Sequence, residues 1–318
     1  MQEKILDYLK RKQDYVSGDQ IASRLGITRQ GLWKHIQELK DKGFEILAVP
    51  HLGYKLASCP DRLFDFEVSR DLNTKFIGKK IHYFESVSTT MHEAMQLGLE
   101  GAPEGTLVLA ESQTRGKGRL GRLWLSPKYK GIYLSLILRP EISPEQASIL
   151  TLLAAVSICE AIKKIAGIDA NIKWPNDILI GNKKLGGILT ELSAEMDKVS
   201  FVTIGIGLNV NNDKKSLIST ATSLREHRKE SINRVALLQE ILRQIEENYI
   251  IFQKKGARPV IEKWREHNIT LGKMIKVYCH KEHITGQAID IDIDGGLLVR
   301  KDSGFTEKVF SGDVVHCR

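Results

Sequence analysis

The run Arg115-Gly116-Lys117-Gly118-Arg119-Leu120-Gly121-Arg122-Leu123-Trp124 constrains this chain more than any other segment. Four cations alternate with three glycines and end on an indole. Glycine lets backbone N–H groups approach an anion closely, and successive amides form a concave nest. Lysine and arginine add charge suited to phosphate or carboxylate. The residues on its C-terminal side limit the fold: Trp124, Ile132, Tyr133, Leu134, Leu136 and Ile137 read as β structure. Gly116-x-Gly118-x-x-Gly121 therefore does not open a helix, as a dinucleotide fingerprint would. A kinase glycine loop does lie between strands, but no V-A-I-K, H-R-D or D-F-G comes after it, and no G-x-x-x-x-G-K-[ST] loop is present. The segment is a cationic, anion-directed loop in a domain that contains a sheet. Alone it is a weak signal, with a solvated basic loop as the competing reading.

Further segments narrow the reading. Lys173-Trp174-Pro175-Asn176-Asp177 places a cation and a carboxylate near a strand end, and Gly181-Asn182-Lys183-Lys184 has turn chemistry. Gly205-Ile206-Gly207-Leu208-Asn209-Val210 adds a second glycine-bearing strand. Thr90-x-x-Glu93 reads as a capping box. The neighbouring hydroxyls of Ser88, Thr89 and Thr90 both donate and accept, which suits a ureido or amide group. His92, His227 and His267 have no metal-ligand spacing and read as surface or packing residues.

The first segment, to about Ala57, reads as a small helical unit ending in a hairpin. Ser17 caps a helix carrying Ile21, Ala22 and Leu25, with Gln20 completing a capping box. Gly26 makes the turn and Thr28 caps the next helix. There Leu32, Ile36 and Leu39 share one face, while Arg29, Gln30, Lys34, His35 and Gln37 lie elsewhere on the surface. Phe44–Val49 and Tyr54–Leu56 read as two strands joined through Pro50-His51-Leu52-Gly53. This is the helix-turn-helix pattern with a wing. DNA phosphates would be held by arginine and lysine, and base edges by Arg29, Gln30 and neighbours. A protein-interaction module with a polar face is the competing reading.

Cys59-Pro60-Asp61-Arg62 reads as a linker to an α/β domain. Its strand candidates are Ile81–Phe84, Thr106–Ala110, Tyr133–Leu138, Asn171–Trp174, Ile178–Ile180 and Val199–Ile206; Gln146–Ala166 and Asn233–Lys254 are its long helices. The last fifty residues hold short strands with glycine turns, the pattern of a small β-barrel. A chain of 318 residues suggests two or three such domains. The net charge of +8 favours anionic partners. Cys59, Cys159, Cys279 and Cys317 are far apart, which indicates neither a disulfide framework nor a zinc site. With no signal peptide and no apolar run long enough for a bilayer, a cytoplasmic protein is expected.

With these segments in this order, the sequence resembles the bacterial biotin–protein ligases that also repress the biotin operon. The carrying residues are the Gly116–Trp124 loop, Lys173–Asp177, Lys183-Lys184-Leu185-Gly186-Gly187 and Gly205–Asn209. The resemblance spans nearly the whole chain. It implies a multidomain α+β protein with a winged helix-turn-helix at 1–58, a class II synthetase-like α/β catalytic domain at 63–267 and an SH3-like β-barrel at 268–318.

It also implies two half-reactions. Biotin and ATP give biotinyl-5′-AMP and pyrophosphate, with Mg²⁺ accompanying ATP. A lysine of a biotin carboxyl carrier protein then takes the biotin and releases AMP. By position, Lys184, Arg119, Lys117 and Asp177 would be catalytic. Thr89, Thr90, Gln113, Gly116, Lys117, Lys184, Gly186, Gly187 and Gly205 would hold biotin. Arg119, Arg122, Trp124, Lys173, Asn176, Lys184, Asn209 and Arg318 would hold ATP. Met91 stands where the family often has asparagine, and Lys117 where it often has arginine; the latter keeps the charge but not the planar fork. Thr28, Arg29, Gln30, Lys34 and His35 would face operator DNA. The adenylate would favour a homodimer that binds a two-part operator, and no metal site and no membrane partner are expected. A biotin-sensing transcription factor with little catalysis and a lipoate–protein ligase are the rival readings.

Overall fold

The computed structural model describes residues 1–195, 198–279, 282–310 and 312–316. The chain forms two units, Met1–Arg62 and Leu63–Arg318.

The first unit has three helices, α1 (Gln2–Lys12), α2 (Gly18–Leu25) and α3 (Arg29–Asp41), then a hairpin of β1 (Glu45–Val49) and β2 (Gly53–Ser58). Its caps agree with the sequence pattern. The Ser17 hydroxyl accepts from the Gln20 amide at 3.2 Å, and Thr28 from Gly31 at 3.0 Å. Gly26 ends α2 at φ 65°, a left-handed conformation that suits glycine. Ile5, Leu6, Leu9, Ile21, Leu32, Ile36 and Leu39 form a buried core beneath the helices. The expected winged helix-turn-helix is present.

The second unit comprises α4 (Asp65–Ser69), β3 (Ile81–Phe84), α5 (Thr90–Leu99), β4 (Leu107–Ala110), β5 (Ile132–Leu138), α6 (Ala147–Ala166), β6 (Asn171–Lys173), β7 (Asp177–Ile180), β8 (Lys183–Glu195), β9 (Lys198–Leu208), α7 (Leu224–Arg228), α8 (Arg234–Lys255) and α9 (Arg258–His267). After them come β10 (Met274–Cys279), β11 (Glu282–Ile291), β12 (Leu297–Arg300), β13 (Thr306–Val309) and β14 (Asp313–His316). Seven strands form one sheet in the order β3-β4-β5-β9-β8-β7-β6. Only the β3–β4 pair among them is parallel.

Two-residue alternation divides the sheet's faces. Leu134, Leu136 and Leu138 of β5 and Val202, Ile204, Ile206 and Leu208 of β9 point into the large core shared with α6, α8 and α9. The other face carries Ser135, Ile137, Phe201, Gly205 and Gly207, and packs α5. An added Cβ on Gly98 of α5 would lie 2.3 Å from the Phe201 ring, so glycine lets α5 sit close to β9. One side is thereby filled with aliphatic chains while the other leaves a hollow.

Among the longer elements, two depart from the expected pattern. Lys183–Glu195 is one thirteen-residue strand, where the sequence pattern suggests only a turn at Gly181–Lys184. Gly186-Gly187 and the half-exposed polar stretch Thr190-Glu191 break the apolar signal there, but long antiparallel pairing with β9 supplies the bonds. The helix Arg258–His267 is likewise absent from the sequence-based expectation. Among the last fifty residues, the strands pair antiparallel in the order β13-β12-β11-β10-β14. This five-stranded sheet belongs to the same compact unit as the larger one. Arg265 pairs with Asp290 at 2.9 Å, and the buried Trp174 indole donates to the Gly295 carbonyl at 3.2 Å.

Candidate functional site

The hollow on the α5 face opens into a cleft of about 510 Å³. One end is polar. Thr89, not Thr90, caps α5, accepting from the Met91 amide at 3.3 Å. The cap therefore lies one residue before the expected Thr90, and no capping box with Glu93 forms among the described residues. The Thr90 hydroxyl is engaged elsewhere. It accepts from Ser135 Oγ at 2.9 Å and donates to Gln113 Oε1 at 3.2 Å. Gln113 Oε1 also accepts from the Thr90 amide at 2.9 Å, and its Nε2 donates to Ser126 Oγ at 3.0 Å. This relay fixes the Gln113 amide and offers both donors and acceptors to a polar head group.

Beyond it the floor is made by glycine. An added Cβ on Gly205 would meet Met91 Sδ at 2.6 Å, and one on Gly207 would meet the Trp124 ring at 2.5 Å. Both residues lie on β9 at spacing two, so both face the cleft. The Trp124 Nε1 is buried and has no hydrogen-bond partner among the described residues.

The remaining walls are cationic. Lys184 Nζ lies 2.6 Å from Asp177 Oδ1 and 5.7 Å from the Trp124 ring centre. Arg119 Nη1 donates to Asn176 Oδ1 at 3.1 Å and to the Gly312 carbonyl at 3.4 Å. Arg122 forms a forked ion pair with Asp313 of β14. The small sheet thus ties down the cationic loop, through residues that carry no motif in the sequence. Lys117 and Lys173 also line the cleft. Partial burial holds the Lys173 ammonium below the usual lysine range; nearby Asp177 opposes that shift and Lys184 adds to it. Asn176 Nδ2 donates to the Ile188 carbonyl at 2.7 Å and its own carbonyl accepts from Ile188, locking the Lys173–Asp177 segment to β8.

The structure brings Thr89, Thr90, Gln113, Lys117, Arg119, Arg122, Trp124, Lys173, Asn176, Asp177, Lys184, Gly187 and Gly205 to this cleft. Gly116, Gly186 and Asn209 are not among its lining. Gly116 accepts from the Trp124 amide at 2.9 Å and closes the loop. Gly186 pairs with Leu208 across the sheet. Asn209 is buried and donates to the Thr222 carbonyl at 3.1 Å, bracing the segment that returns to Lys184. Arg318 lies outside the described residues. Gly207, within the Gly205–Asn209 run, also lines the cleft, and Ser126, Ser135 and Asp313 take part although nothing in the sequence marks them as site residues. A polar serine next to a glycine-rich loop gives no periodic signal, and Asp313 is far away in sequence. Among the described residues no group of His, Cys, Asp and Glu could hold a metal, and no helix is long and apolar enough to cross a membrane.

The first unit carries its own surface. Arg29 and Gln30 are exposed at the amino end of α3, and Lys34 is exposed one turn on. Arg29 is held by Asp19 of α2 through both carboxylate oxygens. His35 differs from the others: half-buried, it bonds Glu38 at 3.0 Å, and Glu38 in turn accepts from Gln2 of α1 at 2.6 Å. It lies on the flank that joins α3 to α1.

Residues 83–209 match the biotin/lipoate A/B protein ligase family, residues 1–55 an HTH domain and residues 270–317 the biotin protein ligase C-terminal domain. The chain is 40% identical to the bifunctional ligase/repressor BirA of Bacillus subtilis, over 95% of this chain and 94% of that protein. It is 26% identical to BirA of Escherichia coli, over 95% and 92%. A solved biotin protein ligase from Aquifex aeolicus, in complex with biotin and ATP, superposes with a TM-score of 0.64 at 30% identity, covering 76% of this chain and 99% of that one.

Proposed function

The chain belongs to the biotin/lipoate A/B protein ligase family, and from that premise we propose that it activates biotin with ATP, transfers it to a carrier-protein lysine, and represses transcription through its winged helix-turn-helix. The observation that carries the catalytic reading is Lys184 paired with Asp177 at 2.6 Å, in a cleft lined by Lys117, Arg119, Arg122 and Lys173.

In the first half-reaction a biotin carboxylate oxygen attacks the α-phosphorus of ATP. The bond to the bridging oxygen breaks and pyrophosphate leaves with the electron pair, giving biotinyl-5′-AMP. Two anions must approach, so the barrier is electrostatic, and fixed cations in a water-poor cleft lower it most. Lys184 lines the same cleft as Thr90, Gln113 and Arg119. It takes the bridging position between carboxylate and α-phosphate. Lys117 and Arg119 compensate the phosphates, and Trp124 covers the adenine side. In the second half-reaction the carrier lysine, once deprotonated, attacks the acyl carbon and AMP leaves. Asp177 receives that proton.

Mg²⁺ accompanies ATP. Magnesium is commonly held by one or two carboxylates together with substrate phosphates. Asp177 and Asp313 are the carboxylates lining the cleft among the described residues, and both are already paired with cations. The ion would therefore ride chiefly on the triphosphate, where it shields negative charge.

The adenylate also favours a homodimer whose paired α3 helices read a two-part operator. By linkage, the adenylate must bind the dimer-competent state more tightly. Transfer to carrier protein removes the signal when demand for biotin is high, in a cytoplasmic setting. The test is direct. Purified chain with biotin and ATP should release pyrophosphate and retain biotinyl-5′-AMP detectable by mass spectrometry. Finding neither overturns the reading.

A further inference from the structure

The polar face of α3 carries one residue that neither the ligase chemistry nor the expected DNA contacts use. Trp33 is 57% exposed, whereas Leu32, Ile36 and Leu39 of the same helix are each 0% exposed. Single exposed apolar residues are ordinary on protein surfaces. This one differs in size and in its surroundings. Arg29, Trp33 and Gln37 succeed one another at a spacing of four, with Gln30 and Lys34 alongside, so all share one helix face. The indole stands in the middle of a row of amides and cations.

That row has the composition of a direct-readout surface. Glutamine pairs with the N6 and N7 edge of adenine, and apolar side chains contact the thymine 5-methyl group, which only the major groove displays. Asp19 supports the geometry. Its two carboxylate oxygens accept from Nε and Nη2 of Arg29 at the amino end of α3 and fix the cation one turn before Trp33.

We propose that Trp33 is a specificity-determining residue that packs against a thymine methyl in the major groove, with Gln30 reading the adenine next to it. The inference rests on the DNA-binding reading and specifies what that site recognises, an A·T-containing step in each half-site.

The full chain, supplied with biotin and ATP, is used to select duplexes from a random pool. The selected duplex is then rebuilt with deoxyuridine in place of each thymidine in turn, which removes the methyl and nothing else. Wild-type protein should lose about fourfold in affinity at one thymine of each half-site, the effect of burying a single methyl group. Trp33→Ala should bind more weakly overall and treat the two bases alike. Trp33→Phe should keep an intermediate preference, and carries the comparison if the alanine variant binds too weakly to compare. Both variants should still form biotinyl-5′-AMP, because the side chain supports no core. A selected duplex with no methyl dependence at any position overturns the Trp33 assignment alone. So does a Trp33→Ala protein with unchanged duplex affinity, the result expected if this face serves a protein partner. Failure of the wild-type chain to select any duplex removes the DNA-binding reading and this inference together.

Discussion

Lys184 and Asp177 meet across the β7–β8 pair at 2.6 Å, with the ammonium also held over the Trp124 ring. The cation is thus parked on a carboxylate that can release it to arriving substrate anions. Its deletion should act on the transition state more than on binding. Lys184→Ala is expected to slow adenylate formation by about 10²–10³-fold, the usual effect of removing one preorganised charge. Asp177→Asn should preserve more of that step and slow transfer to the carrier instead. Single-turnover pyrophosphate release, set against transfer from preformed adenylate, separates the two. A lysine-deleted enzyme forming adenylate at the normal rate rules out the bridging role.

Gly207 and Gly205 predict a graded contrast. A methyl group on Gly207 would reach the rigid Trp124 ring at 2.5 Å, whereas one on Gly205 would press on the flexible end of Met91. An indole yields less readily than a thioether. Gly207→Ala should therefore displace Trp124 and raise the KM for ATP about tenfold, consistent with overpacking of roughly 1–3 kcal/mol. Gly205→Ala should act mainly on biotin and by a smaller factor. Equal effects on both substrates from both variants would contradict this division of the floor.

Much of the fold is legible in the sequence because local physics writes it there. Ser17, Gly26 and Thr28 mark the helix ends of the first unit through their own caps and φ angles. The cationic loop stands out through glycine and charge. The features that escape a reading of the sequence depend on partners distant along the chain. Asp313 matters because β14 brings it to Arg122, and Ser135 because β5 brings it under Thr90. Thr90 resembles a cap because its spacing to Glu93 is right, yet tertiary bonds to Gln113 and Ser135 claim its hydroxyl and leave capping to Thr89. His35 shares the helix with Arg29, Gln30 and Lys34 but falls on its opposite flank at the helical period, where it bonds Glu38 beside α1.

A buried ion pair joins the end of β4 to the start of α8. Arg234 and Glu111 are both 0% exposed and meet at 2.9 Å. The same arginine nitrogen donates to the Gly131 carbonyl, and Glu111 accepts from the Leu63 amide at 2.6 Å. Removing one member strands the other charge, at a typical loss of about 3–5 kcal/mol. Arg234→Met should lower the thermal midpoint on the order of 10 °C. Adding Glu111→Gln should recover part of the loss, since the amide oxygen still serves Leu63 and no charge is left alone. Denaturant unfolding of both proteins measures this, and a double variant no more stable than the single one counts against the pair as the source.

Lys173 makes the catalytic rate sensitive to alkali. Desolvation lowers its ammonium pKa from the ordinary 10.5, Lys184 adds to that shift, and Asp177 only partly offsets it. Linkage gives the sign for folding. Between the folded value and the higher unfolded one, the unfolded chain binds more protons, so this residue's contribution to stability improves as pH rises through that window. The sign for function is opposite, because losing the proton removes a cation from the phosphate side of the cleft. The kcat/KM for ATP reports groups of the free enzyme and should fall on the alkaline side before a fully solvated lysine would titrate. Lys173→Arg stays charged throughout that range. Its profile should lose the early decline, even if its absolute rate is lower because the planar fork fits the pocket less well. Profiles of the two proteins that superimpose after scaling would show that some other group sets the alkaline limit.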